Sequence, residues 1–181
     1  MKVYEILHIK TFRLKPLLSF TASKSHQLHL SKYKILEEYC GIVKYILFVS
    51  REIWPPFNSL YAYIKIKKEF PREVVLLYTD ENIVQKIERK IKKLYQIHEK
   101  DIILRKRKIN QEISFIRKIL LDILEDGDIM DITGARKAMI LALVGVENIR
   151  IVYLHLYDMR FSEYPFMMRP ISLQKLMEVS Q

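Results

Sequence analysis

After Gly41 the chain alternates between two hydrophobic periods. "VKYILFVS" (43–50) is a short apolar run without helical spacing that ends in a polar residue; it predicts a strand buried on both faces. "REIWPPFNSL" (51–60) predicts a loop, because Pro55 and Pro56 cannot continue a strand or a helix interior. "NSLYAYIKIKKEF" puts Leu60, Ile64 and Phe70 near one face and predicts a helix that stops at Pro71. "EVVLLYT" is a second buried strand. Asn82 then suits the N-cap of a helix in which Ile83, Ile87, Ile91 and Leu94 form a stripe.

"DIILRKRK" (101–108) is a third strand candidate. "NQEISFIRKILLDILED" is a helix with Ile113, Ile116, Leu120 and Leu124 on one side. "GDIMDIT" (127–133) is a fourth strand, "GARKAMILALVGV" (134–146) a buried helix and "IRIVYLHLYD" (149–158) a fifth strand. The tail, "MRFSEYPFMMRPISLQKLMEV", is aromatic, Met-rich and broken by prolines before a last short helix. Strands alternating with helices predict right-handed crossovers and an α/β fold: a mostly parallel sheet with helices on both faces. Residues 1–41 follow no such pattern and are set apart as an irregular N-terminal extension; 42–181 form the α/β domain.

Composition narrows the class. The chain has 181 residues, of which 50% are apolar, enough for a core that needs no disulfide. Its one cysteine, Cys40, cannot form an intrachain bridge, which fits a reducing cytoplasm. No apolar run approaches the ~20 residues of a membrane-spanning helix, so no membrane partner is expected. The wealth of Lys, Ile and Glu suits a thermophile. A net charge of +10 and a pI near 9.6 favour a polyanionic partner. Much of that charge lies in "KIERKIKKLY" and "LRKRKI", which is either a solvated face or a nucleic-acid surface; it carries no motif that reads a particular sequence.

In an open α/β sheet, ligands bind beyond the carboxyl ends of the strands, near a reversal of strand order. That directs attention to "GDIMDITGARKAM" (127–139). A strand ends near Thr133, Gly134 allows a tight turn and the approach of a ligand, and a helix start would favour an anion. Arg136 and Lys137 add cationic donors there. The alternative is a plain strand-to-helix turn. Neither a Walker loop nor a dinucleotide fingerprint is present.

"YILFVS", "PPFNSLYAYI", "VVLLYTDEN", "GDIMDITGARKAM" and "VYLHLYDMR" together resemble the CRISPR-associated Rossmann-fold (CARF) family, over roughly Lys44 to Arg160. The family's Thr-Gly-Gly-Thr/Arg-Lys motif reads Thr133-Gly134-Ala135-Arg136-Lys137, with Ala135 in place of the second glycine. A second feature is the polar loop after the first strand, Ser50 and Pro56-Phe57-Asn58-Ser59. The resemblance implies a Rossmann-like homodimer whose strand ends form a shared basic pocket for a cyclic oligoadenylate, most often the tetramer. Small members resemble ring nucleases, which degrade the messenger and switch off type III CRISPR signalling without metal or other cofactor. On that basis Lys137, with Ser50 or Ser59, is the catalytic candidate; Asn58, Thr133, Gly134, Ala135, Arg136, Arg169 and Trp54 are the ligand-binding candidates. A sensor that binds the ring without cutting it is the alternative.

Other residues have two readings each. His26 and His29 are metal ligands or part of a polar loop. Asp128 and Asp131 hold magnesium or make turn hydrogen bonds. Trp54 stacks on an adenine or anchors its loop. The Tyr and Met cluster of 157–168 is a dimer contact or core. Cys40 has no motif that supports a nucleophile.

Overall fold

The computed structural model describes residues 43–180; His26, His29, Cys40 and the extension 1–41 lie outside them. Strands β1 (Lys44–Val49), β2 (Glu73–Tyr78), β3 (Ile103–Lys108), β4 (Ile129–Asp131), β5 (Arg150–Leu156) and β6 (Gln174–Ser180) form one sheet in the order β3-β2-β1-β4-β5-β6. The first five are parallel and β6 runs antiparallel to β5. The chain steps outward from β1 to β3, then crosses back to β4. Strand order therefore reverses between β1 and β4.

Helices α1 (Trp54–Lys67) and α2 (Glu81–Ile97) cover one face; α3 (Ile113–Ile123) and the short α4 (Lys137–Leu141) cover the other. Alternation along β1 explains both layers. Tyr45, Leu47 and Val49 meet Leu60, Tyr63, Ile87 and Ile91 of α1 and α2, while Ile46 and Phe48 meet Ile116, Leu120 and Met139 of α3 and α4. Each fully buried aliphatic or aromatic side chain contributes about 1.5–3 kcal/mol. A Rossmann-like α/β sandwich results, as the hydrophobic pattern predicts.

Four local expectations are corrected. Pro55 and Pro56 lie in the first turn of α1 rather than in a loop; a helix start has no intrahelical acceptor for their missing N–H groups. Asp80 rather than Asn82 caps α2, its carboxylate accepting from the N–H groups of Asn82 and Ile83. The helix expected over 134–146 is only five residues long, with Ile140, Leu141 and Val144 exposed; Gly145 then turns the chain at φ +75°. The last short helix is strand β6. Leu176 packs against the core while Lys175, Met177 and Val179 point out, and β5 offers an edge to pair with, so period two wins.

The sheet also sorts the basic stripe of 86–108. β3 is an edge strand and its Arg105, Lys106, Arg107 and Lys108 are exposed, a charge pattern that guards an edge against pairing. Arg105 pairs with Glu73 at 3.0 Å, and Lys92 and Lys106 both reach Glu88, at 2.7 and 2.9 Å.

Candidate functional site

The reversal of strand order places the carboxyl ends of β1 and β4 side by side, and with them Ser50 and the turn 132–136. Ser50 donates its hydroxyl to the Gly134 carbonyl at 2.9 Å, joining the two strand ends. Gly134 has an ordinary φ; what requires glycine is contact. A Cβ there would lie 2.3 Å from the Phe48 carbonyl oxygen and 3.2 Å from Pro56. The glycine thus admits the end of β1 and the start of α1, where the sequence suggested room for a ligand.

Below the turn lies a buried polar cluster. Asp131, fully buried at the end of β4, accepts from the Tyr45 hydroxyl at 3.2 Å and from the Thr133 N–H at 2.8 Å. Thr133 in turn donates its hydroxyl to Ser59 at 3.0 Å and accepts from the Leu154 N–H at 2.8 Å. The cluster links β1, α1, β4 and β5. Burial pushes the Asp131 carboxyl up to about 6, against the pull of its hydrogen bonds. Burial, with the carboxylate beside it, holds the Tyr45 phenol well above its ordinary value.

Asn58, also fully buried, faces the tail. Its amide donates to the Tyr164 carbonyl at 2.9 Å and accepts from the Phe166 N–H at 2.8 Å. Arg169 is 5% exposed and donates to the carbonyls of Tyr164 and Ser162, at 2.8 and 2.6 Å. These two side chains hold segment 158–170 against the carboxyl edge. Beneath it a cavity of about 120 Å³ is lined by Thr133, Arg169, Glu52 and Tyr153. Tyr157, Met159, Met167 and Met168 are exposed, so much of the Tyr and Met cluster is surface rather than core.

Arg136 is half-buried and Lys137 is exposed at the first position of α4. A helix of five residues carries little macrodipole, so attraction for an anion rests on these two side chains rather than on the helix end. Ala135 packs against the core on the α4 side. The structure thus brings Ser50, Ser59, Thr133, Gly134, Arg136 and Lys137 to one strand junction and sets Asn58 and Arg169 against the tail. Trp54 stands apart: it lines a different concavity, with its ring edge-on to Phe57.

Residue-type reasoning missed Tyr45 and Glu52. A signal for Tyr45 was available: a carboxylate at the end of an apolar strand needs a buried donor, and a Tyr among the aliphatics of the neighbouring strand supplies one. Asp128 makes one turn bond, accepting from the Glu125 N–H, and one long-range bond, accepting from the N–H of Lys44 on β1. Among the described residues no three His, Cys, Asp or Glu side chains are grouped to hold a metal. No described helix is long and apolar enough to cross a membrane.

No family model matches the chain, and no curated protein matches it. Among solved structures it is similar to Can2 from Sulfobacillus thermosulfidooxidans, determined in complex with cyclic tetra-adenylate. The identity is 19% and the TM-score 0.45, over 65% of this chain and 32% of that one. The chain spans about a third of that protein's length.

Proposed function

We propose that the protein binds a cyclic oligoadenylate, the tetramer first among candidates, at a site completed by a second copy of the chain. The observation that carries this reading is the place of Thr133-Gly134-Ala135-Arg136-Lys137: the motif forms the turn at the reversal of strand order, where α/β sheets bind ligands. Arg136 and Lys137 supply positive charge for phosphates there. The single-chain cavity of about 120 Å³ is smaller than the roughly 300–1,000 Å³ of ordinary ligand sites, which favours a pocket shared between copies. Ile140, Leu141 and Val144 leave an apolar face beside the turn, suited to a two-fold contact.

The activity proposed is that of a ring nuclease. A ribose 2′-hydroxyl attacks the adjacent phosphorus and the 5′-oxygen of the next nucleotide departs with a proton, leaving a 2′,3′-cyclic phosphate. Lys137 would stabilise the charge that grows on the phosphoryl oxygens, and the protein would hold the hydroxyl in line. A second reading, a sensor that binds without cutting, is favoured by one observation. Ser50, Ser59 and Asn58 are already engaged in internal hydrogen bonds, two of them on fully buried side chains.

Incubation of the purified protein with labelled cyclic tetra-adenylate, without added metal, separates the readings. Linear products ending in a 2′,3′-cyclic phosphate support the nuclease. Tight binding with the ring intact supports the sensor. Absence of binding overturns both.

A further inference from the structure

A second concavity, of about 270 Å³, lies between α1, α2 and segment 165–167. Its wall is aromatic: Trp54, Phe57, Tyr61 and Phe166. The rings meet in pairs, Trp54 with Phe57 at 6.2 Å between centroids and Tyr61 with Phe166 at 5.6 Å. The charges on its rim have one sign, those of Lys90 and Lys93, and no carboxylate lines it. Lys90 Nζ rests 4.2 Å from the centre of the Trp54 ring. Glu88, two residues away, is taken by Lys92 and Lys106 and leaves Lys90 to the aromatic face.

We propose that this groove binds one nucleoside monophosphate unit, either a free nucleotide or a residue of an RNA strand. Flat rings with a cation beside them match a planar base joined to a phosphate, since every base offers a π-face for stacking and the phosphate a partner for lysine. The volume, just below the usual range for ligand sites, suits one small ligand and no larger ring. An incoming base takes the place of Lys90 on the Trp54 face, and Lys90 turns with Lys93 to the phosphate. This groove neither includes nor depends on the Lys137 turn.

Trp54 is the sole tryptophan of the chain, so its fluorescence reports on the groove directly. Adenosine 5′-monophosphate and linear tri-adenylate are titrated in low salt, with excitation at the red edge of the tryptophan band, where adenine does not absorb. Saturable quenching with a midpoint below about 1 mM is expected. Replacing both Lys90 and Lys93 with alanine raises that midpoint at least tenfold, and Lys137→Ala leaves it unchanged. A lower midpoint for tri-adenylate assigns the site to an RNA strand; equal midpoints assign it to free nucleotide. The proposal is overturned by the absence of saturable quenching with either probe, by quenching that survives the double lysine variant, or by hexanoate displacing the nucleotide with equal affinity.

Discussion

The two ends of the sheet carry similar charged residues and use them differently. At the amino end, cations meet carboxylates: Lys44 reaches Glu125 at 2.9 Å and Asp128 at 3.4 Å, Arg105 reaches Glu73 at 3.0 Å, and Arg150 approaches Glu178 at 3.7 Å. The cleft there, about 300 Å³, mixes both signs and offers little to an anion. At the carboxyl end, Asp131 is satisfied by a phenol and a backbone N–H, while Arg136 and Lys137 make no ion pair among the described residues. A cation neutralised within the fold stabilises it, and one left free is available to a ligand. Unpaired charge alone does not mark the candidate site, since Lys68, Arg72 and Lys100 near the starts of β2 and β3 also make no ion pair among the described residues; unpaired charge at the reversal of strand order does.

Four variants test that contrast. The largest effect is expected from Gly134→Ala, whose Cβ must displace the Phe48 carbonyl. It should cost about 4 kcal/mol and lower the Tm by about 10 °C, measured by thermal unfolding. An unchanged Tm would return this glycine to the ligand-approach role.

Asp131→Asn comes next and has a sign. The carboxyl titrates near 6 in the fold and near 3.8 when unfolded, so between these values the native state binds more protons. The stability Asp131 contributes is therefore greatest at low pH and falls by up to ~3 kcal/mol as pH rises from about 4 through 6. Denaturant titrations at several pH values should show this slope flattened in the asparagine variant.

Lys44→Ala should cost about 2 kcal/mol, because Asp128 would stay buried without its cation, yet leave ligand affinity unchanged. Lys137→Ala should do the reverse: at least about a tenfold loss in affinity for cyclic tetra-adenylate and no shift in Tm. If the two lysine variants behave alike, the contrast between the ends fails.

The three-layer architecture was legible because β1 and β2 are apolar on both faces and α2 carries a clean Ile stripe, patterns that depend only on neighbours in the chain. The tail misled because the period of "SLQKLMEV" is too short to choose between helix and strand; the free edge of β5 decided it. The 134–146 segment misled for a similar reason. Its apolar run suggested a buried helix, but the helix stops after five residues and leaves three apolar side chains exposed. Of the site, the turn carrying Arg136 and Lys137 was legible from order alone. The hydrogen bonds of Asn58 to residues 164 and 166 were not, because they join positions more than a hundred residues apart.

What the sequence by itself determined is the order of elements, the two apolar faces of β1 and β2 and the place of the Thr-Gly-Ala-Arg-Lys turn after the fourth strand. Tertiary structure alone decided which polar groups remain free. Burial and partner choice are set by elements that meet only when the sheet closes: β1 against β4 at Gly134, α1 against the tail at Asn58, and α1 against α2 around Trp54.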